Sequence, residues 1–291
     1  MITFSQFGKY GRLGNQLFQY AAIKSISLET GYKLKIPNIN NLIWHNQICQ
    51  MNLFNIECDF LKKEDLNSIT NFYREMDHTK FYQDVFNISD NTDILGYFQN
   101  FNYFKKHFNQ IKKEFKMKKE LTEFAKDYVN CLKDKNEKIV SVHIRRGDMT
   151  DGTNPEYANY YGENDVLTRE SPFGQYFFKA LDQFNDINCK FLIFSGGSRA
   201  GVRHNQSDIM WCKENLKEDR YLFSENNNDI EDFAIMKSCD HHITTHMTSF
   251  GYWAALLNDN EEKIVIAPKN YTIPDDNRVK EGFYPSDWRI I

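Results

Sequence analysis

Apolar residues in this chain fall into short runs set between longer segments of helical period, and the alternation becomes regular in the second half. The run from Ile139 to Ile144 has strand length and suits a buried strand. Phe191 to Phe194, Tyr221 to Phe223, His242 to Thr245 and Lys263 to Ala267 read as further strands. Between them, Pro172 to Phe184, Asp208 to Leu216, Ile230 to Cys239 and Phe250 to Leu257 carry helical patterns. Strands alternating with helices predict a parallel, doubly wound sheet.

The first half opens in the same way. A strand over Ile2 to Phe7 leads through the glycine loop Gly8 to Gly14 into a helix over Asn15 to Thr30. Leu17, Phe18, Ala21, Ala22, Ser25 and Leu28 recur on one face of that helix, and Gly31 suits its C-terminal cap. Lys33 to Ile36 reads as a second strand, ended by Pro37. Residues 38–91, rich in Asn and aromatics, give no assignable order. Ile94 to Gln99 reads as a strand running into a loop, followed by helices over Phe101 to Met117 and Leu121 to Leu132. The charge run Lys133 to Lys138 reads as a solvated connector. It sets the expected organisation: lobes over 1–135 and 136–268, with a tail over 269–291.

Composition narrows the classes. The 291 residues, 41% apolar and 26% charged, suffice for a sizeable core. A net charge of -4 gives no global attraction to nucleic acid, which is excluded as a partner, or to an anionic membrane. No apolar run approaches the roughly 20 residues of a membrane helix, although peripheral association stays open. The first residues lack the basic and apolar regions of a secretory signal. Six scattered cysteines without a CxxC pair read as free thiols. A cytoplasmic protein is the expectation.

The chemistry concentrates after the strand ending at Ile144. In Val142-His143-Ile144-Arg145-Arg146-Gly147-Asp148, alternation puts His143 and Arg145 on one face and Arg146 on the other, where it would pair with Asp148. An imidazole and a guanidinium at a strand end suit a phosphate or pyrophosphate. Gly14, Asn15 and Gln16, where the glycine loop meets its helix, could receive an anion or cap the helix. Asn228 and Glu231 have capping-box spacing, which leaves Asp232 over. Thr248, Ser249 and Phe250 open a helix. His241, His242 and His246 lack the spacing of a zinc motif. The chain contains no Asp-x-Asp pair, so a leaving diphosphate would be neutralised by arginine, histidine and helix N-termini.

Taken in order, these segments resemble glycosyltransferase family 11, the α-1,2-fucosyltransferases. Gly11-Arg12-Leu13-Gly14-Asn15-Gln16-Leu17-Phe18-Gln19-Tyr20-Ala21 is similar to that family's opening G-G-L-G-N-Q-x-F-Q-Y-A. Gly96-Tyr97-Phe98-Gln99 with Tyr103-Phe104 resembles G-Y-F-Q-S-x-x-Y-F, and His143 to Asp148 matches H-x-R-R-G-D. Glu231-Asp232-Phe233 through Cys239, Ser249 to Leu256, and Pro285-Ser286-Asp287-Trp288 resemble its later motifs. The resemblance implies an α/β GT-B fold, two Rossmann-like lobes facing across a cleft, with 1–135 as the acceptor-side lobe and 136–268 as the lobe that binds the GDP-sugar. It also implies GDP-β-L-fucose as donor substrate, with no separate cofactor, and a saccharide acceptor taking fucose at O2 of a terminal galactose. The reaction would be inverting and independent of metal.

The implied catalytic residues are His143, Arg145 and Asp148, with Arg145 on the donor diphosphate. Gly14, Asn15, Gln16, Arg146, Asp208, Asp232, Thr248, Ser249 and Phe250 would bind the donor. The general base stays open among Asp148, Glu156, Glu163 and Asp165. Three departures stand out. Gly196-Gly197 occupies the place of a family Ser-Asp-Asp, with Asp208 the candidate to take over its guanine contact. His246-Met247 replaces a Ser-Asn pair. The loop from Met149 to Ser171 is long and tyrosine-rich, which suits an acceptor sugar. Two other readings remain: a related enzyme with another donor or linkage, such as protein O-fucosylation, and a non-catalytic nucleotide- or glycan-binding relative.

Overall fold

A computed structural model describes residues 1–44, 47–150, 152, 155–196, 206–272 and 275–291. The chain forms two compact units, one of residues 1–118 with 277–286 and one of residues 119–276 with 287–291.

In the first unit, β1 (Ile2–Thr3) leads into α1 (Leu13–Thr30). Then follow β2 (Leu34–Ile36), the antiparallel ribbon of β3 (Ile43–Trp44) and β4 (Gln47–Ile48), β5 (Asp59–Phe60), α2 (Lys63–Leu66), β6 (Asn71–Arg74), β7 (Thr92–Leu95) and α3 (Phe108–Glu114). Five strands make one parallel sheet in the order β5-β2-β1-β7-β6. α1 buries Leu17, Phe18, Tyr20, Ala21, Ala22, Ile23 and Ile26, and Gly31 caps it at φ +75° as expected. The expected first strand stops at Thr3, because Phe4 and Phe7 turn inward and the Phe7 N–H bonds the Phe4 carbonyl. The helix expected over 101–117 is cut to α3 behind two 3-10 turns, where Phe101, Phe104 and Phe108 pack on one another.

The second unit begins with α4 (Lys119–Cys131), then β8 (Lys138–Arg145), α5 (Gly147–Thr150), α6 (Pro172–Asp182), β9 (Cys189–Gly196) and α7 (Gln206–Asn215). It continues through β10 (Tyr221–Phe223), α8 (Asp229–Ser238), β11 (His241–Ile243), α9 (Ser249–Leu257), β12 (Val265–Ala267) and β13 (Arg289–Ile290). Its six strands are parallel, in the order β10-β9-β8-β11-β12-β13. Successive strands depart in opposite directions from β8, so the topological switch point lies between β8 and β11. In the first sheet it lies between β1 and β7. Open α/β sheets bind ligands beyond the carboxyl ends of strands at such points.

The expected lobe boundary near residue 135 moves to 118/119, because α4 packs against α8 through a buried stripe that includes Ala125 and Val129. The charge run is a turn inside the second unit, where Lys133 pairs with Asp240 at 2.7 Å. The expected tail divides: 277–286 joins the first unit, and Arg289–Ile290 pairs with β12. No helix among the described residues is long and apolar enough to cross a membrane.

Candidate active site

β8 carries His143 and Arg145 to the switch point of the second sheet. Pairing with β9 on one side and β11 on the other fixes the strand in register. The imidazole Nδ1 of His143 is hydrogen-bonded to Thr248 Oγ1, which also accepts the Gly251 N–H at 3.0 Å as the N-cap of α9. Phe250 packs on the imidazole with ring centroids 5.4 Å apart. Gly251 eases this approach, since a Cβ there would lie 3.2 Å from that of His143, a tight contact. Burial, and then the neighbouring Arg145 charge, push the imidazole down to about 3. His143 is therefore neutral at ordinary pH, and the cation of the pair is Arg145 alone.

Arg145 donates from Nε and Nη2 to the two oxygens of Asp148, at 3.0 and 2.5 Å, and from Nη1 to the Met247 carbonyl at 2.6 Å. Burial alone would lower its pKa, but the Asp148 hydrogen bonds and charge outweigh that and raise it. These three bonds use three of the five guanidinium N–H groups, and the side chain stays 30% exposed. Asp148 thus pairs with Arg145 rather than with Arg146, because Gly147 opens a helical turn that brings the carboxylate back over β8. With both oxygens engaged, Asp148 aims the guanidinium. Met247, one of the pair that departs from the family pattern, supplies its backbone carbonyl to Arg145. It sits at φ +54°, a left-handed conformation that Asn tolerates far better than Met, at the position where the Ser-Asn pair was expected.

Arg146 points into the core, 4% exposed. Its guanidinium stacks 3.8 Å from the Trp211 ring centroid and 4.8 Å from that of Tyr161, and Nη1 donates to Asp165 at 3.0 Å. Asp208, 2% exposed, faces Arg146 Nε at 3.5 Å and accepts the Gly147 N–H at 3.2 Å. These contacts make Arg146 and Asp208 a brace under the His-x-Arg-Arg turn, with both side chains engaged by protein partners. Of the tyrosines in the long loop after Met149, Tyr157 is partly buried. Tyr160 and Tyr161 are buried in the core, and the Tyr161 hydroxyl donates to the Arg145 carbonyl. Gly197 lies outside the described residues.

Asp232 stands in the first turn of α8, capped by Asn228 and Glu231 as the spacing predicts, and accepts the Ser224 hydroxyl at 2.6 Å. Burial pushes its carboxyl up to about 7. Ser249 and Phe250 follow the Thr248 cap, so their backbone lies at the positive end of the α9 dipole. The three histidines separate: His241 Nδ1 accepts the Ile264 N–H, His242 Nδ1 is hydrogen-bonded to Ser141, and His246 packs on Tyr160 and Tyr176. Among the described residues no group of three or more His, Cys, Asp or Glu is placed to hold a metal.

Gly14, Asn15 and Gln16 open α1 at the switch point of the first sheet. The Gln16 amide donates to the Gly11 carbonyl at 3.1 Å and its carbonyl accepts the Cys49 thiol. Asn15 accepts from Gln99 at 2.6 Å, and Gln99 in turn accepts from the buried Arg278. The amides of two sequence motifs thus knit the start of α1, the segment after β7 and the returning segment 277–286 together.

A family model described as Glycosyl transferase family 11 matches residues 5–291. The chain is 27% identical to an alpha-1,2-colitosyltransferase of Escherichia coli, over 89% of its own length and 89% of that protein's. It is 25% identical to galactoside alpha-(1,2)-fucosyltransferase 2 of Bos taurus, over 93% of its length and 72% of that protein's. Among solved structures, the fucosyltransferase NodZ from Bradyrhizobium matches with a TM-score of 0.51 at 12% identity, covering 88% of this chain and 93% of that one. That likeness speaks for the fold, GT-B with two parallel-sheet α/β units.

Proposed function

The chain belongs to glycosyltransferase family 11, and we propose that it transfers L-fucose from GDP-β-L-fucose to O2 of a terminal galactose, with inversion and without a bound metal. The observation that carries this reading is Arg145, held by Asp148 and the Met247 carbonyl beyond the carboxyl end of β8. The acceptor hydroxyl gives its proton to a general base and its oxygen bonds to fucose C1 as the bond from C1 to the β-phosphate oxygen breaks. Negative charge then grows on the departing diphosphate. A guanidinium fixed beforehand meets that charge without reorganising. At about 4 Å such a pair is worth about 4 kcal/mol at an effective dielectric of about 20.

His143 contributes as a neutral donor. The Thr248 hydroxyl already accepts the Gly251 N–H, so it can give its own proton to Nδ1 and leave the Nε2–H for a phosphate oxygen. The N–H groups of Ser249 and Phe250 add the partial charge of a helix start. The cytoplasmic setting expected from the scattered cysteines belongs to the same reading.

One experiment tests it. The protein is incubated with GDP-fucose and a panel of galactosides, with and without chelator, and the product linkage is read by NMR. An α-1,2-linked product that forms equally with chelator present is expected. Because one relative is named for colitose, the colitosyl donor is run beside GDP-fucose. Transfer from that donor alone would move the donor assignment, and a strict need for added metal would overturn the arginine-for-metal argument.

A further inference from the structure

The first unit contains a cavity of about 400 Å³ at the carboxyl ends of β1, β6 and β7, lined in part by Tyr10, Arg74, Glu75, Met76, His78 and Tyr97. None of these residues belongs to the machinery described above. The volume falls in the range of small-molecule sites, and the position, beside a topological switch point, is where open α/β sheets take ligands.

The lining is aromatic with a polar rim. Tyr97 stands between Tyr10 and His78, with ring centroids 5.7 and 5.8 Å away at interplanar angles of 62° and 64°. Arg74 and His78 are exposed beside it, and Met76 is 84% exposed. Both tyrosines are anchored through their backbones by buried polar side chains. Gln19 donates to the Tyr10 carbonyl at 2.9 Å. Glu75 accepts the Tyr97 N–H at 2.7 Å and the Phe98 N–H at 3.0 Å. Burial raises the Glu75 carboxyl, and Phe98 sits in the left-handed region at φ +51°. Gly96 permits the arrangement, because a Cβ there would come within 2.6 Å of Glu75 Cβ. A buried carboxylate and a strained residue are unfavourable to folding, and such features collect where a site must be held rigid.

We propose that this cavity is a subsite for a hexose of the saccharide acceptor, with a sugar face on the Tyr97 and Tyr10 rings and its hydroxyls on Arg74 and His78. This rests on the glycosyl-transfer reading only for the identity of the ligand. Of the tyrosines in the loop after Gly147, the alternative platform, Tyr160 and Tyr161 are buried in the core of the second unit and Tyr157 is partly buried against it.

Lactose is the probe, titrated by saturation-transfer NMR without donor and then used as acceptor in steady-state assays. Tyr97→Ala and Tyr10→Ala are each expected to weaken lactose binding and raise its KM roughly tenfold, with the KM for GDP-fucose unmoved. Tyr97→Phe, which keeps the ring, restores both values and controls for folding. Lactose binding that is absent from the wild-type protein, or equal in the wild type and both alanine variants, overturns the subsite. If the wild type binds lactose but never turns over GDP-fucose, the activity reading fails alone, and the binding comparison still decides the cavity.

Discussion

Arg145 and Arg146 are neighbours in sequence with opposite fates, because consecutive strand residues face opposite sides of the sheet. Arg145 emerges at the switch point with donors to spare, whereas Arg146 is enclosed by Trp211, Tyr161, Asp165 and Asp208. Arg145→Ala is expected to fold normally and to lose a hundred- to a thousandfold in turnover. Arg146→Ala strips a buried aspartate of its partner and is expected to destabilise the protein by about 3–5 kcal/mol. Urea midpoints and kcat measured on both variants check the contrast. If Arg146→Ala were fully stable with weakened donor binding, Arg146 would return to the donor site.

At the scale of elements, the site is the seam between β8 and α9. The seam closes because Gly251 has no side chain, which lets the Thr248 cap reach the imidazole while the first turn of α9 lies against β8. Gly251→Ala is expected to push the helix start away from His143 by a few tenths of an ångström. Helix propensity alone would favour that change by roughly 1 kcal/mol. Turnover is therefore expected to fall about tenfold or more with little loss of thermal stability, since misplacement in an active site is amplified in rate. Unchanged kcat in this variant would show that the seam tolerates a methyl group. The first unit uses a related device, in which Asn15, Gln99 and Arg278 join three segments distant in sequence.

For the whole molecule, both sheets bring their motifs to their own switch points, and the second unit holds several neutral histidines in its interior. Burial pushes His143 down to about 3 and His246 to about 4, and holds His242 well below its ordinary range. The unfolded chain takes up these protons near pH 6.5 while the folded protein refuses them. Their stabilisation is thus complete above that value and is lost as pH falls towards 4. Asp232, raised to about 7 by burial, acts in the opposite sense: its contribution is full below about pH 4 and disappears as pH rises through 7. Each pH unit in these windows is worth about 1.4 kcal/mol per group, so three histidines outweigh one carboxylate. The melting temperature is expected to fall between pH 7.5 and 5, and to fall more steeply in Asp232→Asn. A Tm that is flat or rises towards pH 5 would contradict the neutral-histidine interior.

The sequence by itself determined what depends on neighbours along the chain. Strand length and alternation located β8 and separated Arg145 from Arg146; the spacing of Asn228 and Glu231 gave the α8 cap; ordered motifs gave the family. Tertiary structure alone decided what depends on contacts between distant segments. It gave Asp148 to Arg145, sent Asp208 into the brace under Gly147, drew α4 into the second unit and buried Tyr160 and Tyr161. It also set Glu75 behind Tyr97, in a region where the sequence showed no order. The physical reason is that a local pattern specifies which face a side chain takes, whereas its partner is chosen by packing, where a buried charge must find an opposite charge or an N–H from elsewhere in the chain.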